Sequence, residues 1–201
     1  MSEFIKPINL IGKNVYLEPL QKEHVSDLIA ASTDGELWKL WYTSVPTPEE
    51  MQSYIDDALM LRENSHEMPF VVREVVNGSP GQIVGSTRML QVEPSNRRLE
   101  IGYTWYAKRV QRTAINTECK LLMLSHAFEQ LKCIAVEFRT HWMNYQSREA
   151  ISRLGAKQDG VLRNHRVMKN GTFRDTVVFS IIESEWPTIK QHLMHRLTMS
   201  R

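Results

Sequence analysis

Apolar residues along the chain switch between a spacing of two and a spacing of three to four, and these switches divide it into strands and helices. Residues 13–20 alternate, with Val15 and Leu17 set against Tyr16 and Glu18, and Pro19 ends the run, which predicts a short strand and a turn. Residues 22–31 then place His24, Leu28 and Ala31 on one helical face. A second helix is predicted from Thr47-Pro48-Glu49-Glu50, which offers a capping hydroxyl, a proline and two acidic residues to a first turn. Its stripe is Met51, Tyr54, Ile55, Ala58 and Leu59.

Strands dominate the middle of the chain. Residues 69–76 and 82–91 flank an Asn77-Gly78-Ser79-Pro80-Gly81 turn, which predicts a hairpin. In residues 98–106, Leu99, Ile101, Tyr103 and Trp105 alternate with Glu100, Gly102 and Thr104. Residues 116–132 carry the longest helical pattern, through Leu121, Leu122, Leu124, Phe128 and Leu131. An apolar strand over 134–140 precedes a helix over 144–154 that stops at Gly155, a residue suited to a left-handed terminus. The last two strands, 160–168 and 172–182, are joined through Asn170-Gly171, a strong hairpin signal. The order β-α-α-β-β-β-α-β-α-β-β predicts an α+β (mixed α/β) domain, a central mixed sheet flanked by helices, rather than a doubly wound fold.

Composition narrows the class without naming a function. At 201 residues, with 42% hydrophobic and 24% charged positions, the chain fits one globular domain. Its 25 Lys and Arg nearly balance 23 Asp and Glu, so the net charge of +2 gives no reason to expect nucleic acid or an anionic membrane as partner. Cys119 and Cys133 form no metal-ligating spacing, and no metal is expected. No signal peptide is evident and no apolar run approaches the ~20 residues of a membrane span. A cytoplasmic protein is the expectation.

The most informative stretch joins the third middle strand to the longest helix. A helix start has unpaired N–H groups and the positive end of the dipole, so the loop Gln111-Arg112-Thr113-Ala114-Ile115-Asn116-Thr117 could cradle a pyrophosphate, with Arg112 as a nearby cation. The plain alternative is that Asn116 or Thr117 caps the helix and Arg112 is a solvated charge. Asn144-Tyr145-Gln146-Ser147 opens the next helix, with Asn144 or Ser147 as its cap.

Glu100-Ile101-Gly102-Tyr103, then Gln111-x-x-Ala114-x-Asn116, then Asn144-x-x-Ser147 with Leu154-Gly155-Ala156, resemble the GNAT N-acetyltransferases, in particular their RimJ/RimL-like branch. Gly160-Val161-Leu162-Arg163 and Arg174-Asp175-Thr176 are similar to that branch too. The resemblance covers residues 9–186, read as the domain, and leaves 187–201 as a C-terminal tail.

What the resemblance implies is acetyl-CoA as co-substrate, held by the loop from Gln111 to Thr117. Its pantetheine arm would pair with the backbone of Thr104, Trp105 and Tyr106, although residue type alone favours Trp105 and Tyr106 as core or edge aromatics. Ala114 and Asn116 stand where the family usually has small glycine-type residues; if Ala114 needed a positive φ it would cost on the order of 1 kcal/mol. By the same resemblance Asn144 hydrogen-bonds the pantetheine side and Ser147 lies near the thioester sulfur. Acetyl transfer to an amine also needs a base, for which Glu100 is the first candidate and His141 the second, and a strand N–H around Thr104 or Trp105 for the carbonyl oxygen.

Trp38, Trp41 and Tyr42 occupy the segment that covers the acceptor site in the family, as pocket wall or as dimer contact. The acceptor is expected to be a protein N-terminus or a small amine, and a homodimer fits the branch. Arg163, His165, Arg166, Lys169 and Arg174 surround the last hairpin and could attract an acidic acceptor or RNA, or form an ordinary solvated face. Because of Ala114, a non-catalytic CoA-binding or interaction protein of the same fold is the alternative to an enzyme.

Overall fold

In a computed structural model that describes residues 4–64 and 66–199, the predicted strands and helices appear in the predicted order, with a two-residue strand added before them and a helix after them. Strands β1 (Leu10–Ile11) and β2 (Val15–Pro19) lead into helices α1 (Val25–Thr33) and α2 (Met51–Glu63). Then come β3 (Met68–Val76), β4 (Ser79–Glu93) and β5 (Arg98–Tyr106), helix α3 (Ala114–Ser125), β6 (Ala135–His141) and α4 (Tyr145–Leu154). The chain closes with β7 (Lys157–Val167), β8 (Phe173–Ile182) and α5 (Trp186–Met199). Among the described residues these strands form one sheet in the order β1-β2-β3-β4-β5-β6-β8-β7.

Local chemistry sets the boundaries. Thr47 and Glu50 exchange hydrogen bonds, each backbone N–H donating to the other's side-chain oxygen at 3.3 Å, and α2 begins one residue later. Gly155 takes φ +101° at the end of α4, where an added Cβ would also stand 3.0 Å from Ile189 of α5. The long helix starts earlier than its apolar pattern, at Ala114, because Thr113 caps it; the Ile115 N–H donates to Thr113 Oγ1 at 3.3 Å. After Ser125 it widens into a π-helical turn, His126–Gln130, so the continuous α-helix predicted to 132 is not continuous.

The segment read as a tail is part of the fold. Helix α5 buries Trp186, Ile189 and Leu193, packs against α3 and stacks Trp186 on Phe128 with ring centroids 5.3 Å apart. Residues 200 and 201 of the expected tail lie outside the described residues. At the other end Ile5 is already buried, so the packed unit exceeds 9–186 on both sides.

The sheet has two working faces. Thr87 and Arg88 are neighbours on β4 and point to opposite sides, as strand geometry requires. The Thr87 hydroxyl meets Lys120 of α3, while the Arg88 guanidinium lies 4.4 Å from the Tyr54 ring of α2. Helices α3 and α2 therefore cover opposite faces near the centre of the sheet.

Candidate active site

The site begins where two parallel strands part. β5 and β6 pair in parallel through Arg98↔Ala135, Leu99↔Val136 and Glu100↔Glu137. Beyond that point β5 stays with β4 as far as Tyr106 and β6 stays with β8 as far as His141. The facing edges of residues 101–106 and 138–141 thus separate into a wedge, with Glu100 at its apex. Such an edge offers unpaired backbone groups to an extended ligand.

A bulge shapes one wall of the wedge. Ser86 pairs with Trp105 and Arg88 with Gly102, which leaves Tyr103 and Thr104 together opposite Thr87. Tyr103 carries the extra residue at φ +49°, a rare conformation for a bulky side chain. On one side its ring packs on the Arg88 guanidinium at 4.4 Å, and Arg88 is held by Glu67 at 2.9 Å. On the other, Thr104 Oγ1 lies 2.7 Å from Thr87 Oγ1 and accepts from the buried Lys120 ammonium at 2.7 Å. Burial pulls the Lys120 pKa below the ordinary lysine value.

Of the three residues expected to line the cofactor through their backbone, Thr104 keeps its side chain in that network. Trp105 is a buried core residue, and the Tyr106 hydroxyl is buried beside Cys119, which pushes its pKa well up. The Trp105 and Tyr106 side chains are thus core groups.

The loop after β5 leads into the start of α3. The Gln111 side chain donates to the Tyr106 carbonyl at 3.0 Å and ties the loop to the strand end. Arg112 is the left-handed residue, with φ +63°, and it is exposed. Ala114 and Asn116 lie inside the helix with no positive φ, so the alanine methyl carries no left-handed strain. Thr113, rather than Asn116 or Thr117, is the cap. The first-turn N–H groups of Ala114, Ile115, Asn116 and Thr117 have no partner within the helix apart from the Ile115 bond to Thr113. Together with Arg112 they suit an anion of pyrophosphate size.

Across the wedge, Asn144 caps α4 by accepting the Ser147 N–H at 3.0 Å on Oδ1, and Ser147 is half-buried in the first turn. The His141 Nδ1 accepts the Met143 N–H at 3.0 Å, and its Nε2 is buried without a partner. Burial and the nearby Arg174 hold its pKa below the ordinary value. With Nδ1 accepting that N–H, the neutral His141 ring carries its proton on Nε2. The Trp41 ring meets it edge-on at 5.1 Å and Tyr42 at 5.6 Å, which brings this part of the aromatic segment to the wedge mouth. Trp38 is half-buried in the preceding turn.

Glu100 is the titratable group best placed for proton transfer. Burial pushes its carboxyl up to about 7 against the pull of the Arg139 guanidinium, whose Nε stands 3.5 Å from Oε2. Arg139 is shared with Glu137, which it reaches at 2.8 Å, and Glu137 also binds Arg98. Gly102 gives Glu100 its space, since a Cβ there would stand 3.0 Å from Glu100 Oε1. Sequence reasoning missed Arg88, Lys120 and Arg139. Their only available signal was a cation placed inside an otherwise strand or helix pattern.

Among the described residues no cluster of His, Cys, Asp and Glu could hold a metal ion, and no helix is long and apolar enough to cross a membrane. A surface groove of about 460 Å³ lined by Asp27, Asp34, Arg73, Gln82 and Arg109 holds none of the candidate residues.

An eight-stranded mixed sheet that opens beside a helix start is a frame for acyl transfer from a thioester. The acetyltransferase (GNAT) domain family matches residues 14–157, and the chain belongs to that family. A Bacillus subtilis (strain 168) protein named "Putative ribosomal N-acetyltransferase YdaF" is 30% identical over 106 residues, which is 53% of this chain and 57% of that protein. The match therefore spans little more than half of that relative. A GCN5-related N-acetyltransferase from Brucella melitensis has a solved structure with TM-score 0.83 and 29% identity, covering 96% of this chain and 86% of that one. RimJ of Mycobacterium smegmatis, solved with CoA-disulfide, is alike in fold, with TM-score 0.73 and 18% identity over 90% of this chain and 88% of that one.

Proposed function

We propose that the protein transfers the acetyl group of acetyl-CoA to a primary amine by direct attack within a ternary complex, as the RimJ/RimL-like resemblance implies. The wedge between β5 and β6, with a buried carboxyl at its apex, is the observation that carries this reading. The amine belongs to a protein N-terminus, in keeping with the relative named for ribosomal acetylation, or to a small molecule.

Acetyl-CoA supplies an activated acyl group with a thiolate leaving group. The chain's own residues do the rest. Arg112 and the N–H groups from Ala114 to Thr117 bind the pyrophosphate, and the backbone of Thr104, Trp105 and Tyr106 orients the pantetheine arm as an added strand would. Glu100, directly or through one water, removes the amine proton; a carboxyl that titrates near 7 accepts a proton readily without being fully protonated at neutral pH. A strand N–H at the bulge near Thr104 stabilises charge on the carbonyl oxygen. The Ser147 hydroxyl gives a hydrogen bond or proton to the departing sulfur, and Asn144 holds the pantetheine side.

Calorimetry with acetyl-CoA tests the first requirement. Saturable binding at micromolar to low-millimolar cofactor is expected, and no heat at millimolar acetyl-CoA would end the enzyme reading. For Ser147→Ala, a fall in kcat of about 10²-fold with little change in acetyl-CoA affinity is expected, in the range of a lost proton donor. Turnover equal to the parent protein would remove Ser147 from the reaction. The α4 cap, in which the Ser147 N–H donates to Asn144 Oδ1, uses the backbone of residue 147 and survives this substitution.

A further inference from the structure

The five basic residues around the last hairpin do not behave alike. Arg163 pairs with Asp175 at 2.5 Å, and the same carboxylate accepts the Asn164 N–H at 2.7 Å. Lys169, near the hairpin tip, pairs with Glu50 before α2 at 2.6 Å. His165 Nδ1 lies 3.0 Å from Thr176 Oγ1. Arg166 and Arg174 are left with no ion pair among the described residues; Arg174 donates only to Thr176 Oγ1, at 3.0 Å.

These two arginines stand directly opposite each other in the β7–β8 register, an arrangement that like charges disfavour. The register reaches it through an irregularity. Leu162 pairs with Thr176 and Arg166 with Arg174, so β7 inserts two extra residues, with Asn164 at φ +48°. A bulge of this kind re-aims the side chains beyond it. Here the result is that Arg139 of β6, Arg166 of β7 and Arg174 of β8 gather around His165, and the same three act on the Glu100 carboxyl. Arg174 is half-buried, and burial with Arg166 beside it lowers its pKa. Glu137 does not balance them, since it is engaged by Arg98 and Arg139. Arg174 is thus a partly desolvated guanidinium that faces the exposed Arg166 and has no carboxylate in ion-pair contact among the described residues, Glu100 acting on it from a longer distance, and a bound anion would offset that cost.

We propose that Arg166 and Arg174 bind an anionic group, a carboxylate or a phosphate, carried by the acceptor amine itself. This rests on the reading that Glu100 receives the amine proton, because the arginine pair acts on that carboxyl. The acceptor class is then an amine with an acidic substituent close to its nitrogen, such as an N-terminal acidic residue or an aminoalkyl phosphate, and the bulge in β7 is the specificity element.

The test uses two matched pairs at saturating acetyl-CoA, followed by thiol release: tripeptides that begin with Asp or Asn and are otherwise identical, and phosphoethanolamine against ethanolamine. At least one anionic member is expected to exceed its neutral partner in kcat/KM by about tenfold or more, the worth of one charge-assisted hydrogen bond. The pair that shows it distinguishes carboxylate from phosphate. Arg166→Gln, an exposed position that folding tolerates, should reduce that ratio severalfold through KM, and Arg174→Gln should reduce it further. Equal rates within both pairs, or a ratio unmoved by both substitutions, would overturn the proposal.

Thermal shift with succinate and with inorganic phosphate, each in the presence of saturating CoA, reads the anion site without turnover. Stabilisation that Arg166→Gln removes, in a protein that acetylates no amine, would uphold the anion site and defeat the transfer reading. Turnover with no anion preference would do the reverse.

Discussion

Glu100→Gln is expected to abolish most amine acetylation and, at the same time, to make the protein more stable at alkaline pH. Loss of a general base lowers the rate by about 10² to 10⁴. The stability effect follows from linkage. The folded carboxyl titrates near 7, because burial disfavours its charge, whereas the unfolded one titrates near 4.5. Between those values the folded state binds more protons than the unfolded state, so stability falls as pH rises through that window and the loss is complete above 7. At 1.36 kcal/mol per pH unit of displacement the penalty approaches about 3 kcal/mol. Glutamine has nearly the same shape and cannot ionise, and Arg139 keeps Glu137 as its partner. Melting curves at pH 5, 6, 7 and 8 should show little difference between variant and parent at the acid end. By pH 8 the variant should be higher by roughly 6–12 °C, at ~2–4 °C per kcal/mol for a chain of this size. A constant difference across that range, or turnover within threefold of the parent, would defeat the assignment. The parent's kcat should also show an ionisation near 7 that the variant lacks.

The outline of the fold was legible because its signals are local. The hairpin turns in Asn77–Gly81 and at Asn170-Gly171, the helix-start signal Thr47–Glu50 and the left-handed stop at Gly155 each act within a few residues, and each marks its boundary to within a few positions, β4 starting at Ser79 and α2 at Met51. Helix α5 escaped because only Trp186, Ile189 and Leu193 of its fourteen residues are buried, too sparse a stripe to separate it from a polar tail. The start of α3 was displaced for a related reason. Apolar periodicity marks the face that packs, while the boundary is set by a polar atom, Thr113 Oγ1, that periodicity does not register.

The candidate site was legible in its loop and in Glu100, where residue type and position along a strand carry chemical meaning. Its supporting shell was not. The Tyr103 bulge depends on a count of residues on two strands that only pairing reveals, and Lys120 and Thr87 meet through contacts 33 residues apart. The same holds for the wedge. Nothing in the residues 98–106 or 134–140 taken singly states that the two strands pair for three residues and then part.

The turn before β2 depends on a residue that the sequence did not single out. Glu118 is buried in α3, and its two oxygens accept the Lys13 N–H at 2.8 Å and the Asn14 N–H at 2.6 Å. Gly12 allows this closeness, since a Cβ there would stand 2.7 Å from Glu118 Cδ. Glu118→Ala leaves two backbone donors without acceptors and opens a void beside them. At ~1–3 kcal/mol for each orphaned donor, the expected loss is about 3–5 kcal/mol, or about 10 °C in melting temperature. Glu118→Gln should recover only part of it, because one oxygen remains and an NH2 then faces the second N–H. The consequence for function follows from position. Glu118 lies one turn past the N–H groups proposed to bind the pyrophosphate, and it is the polar link that joins the helix start to the β1–β2 turn. Calorimetry on Glu118→Ala at a temperature where it remains folded should therefore show weaker acetyl-CoA binding, whereas a helix start held by core packing alone would bind as the parent does. A melting temperature within 2 °C of the parent would show that water satisfies the two donors and that the carboxylate is dispensable.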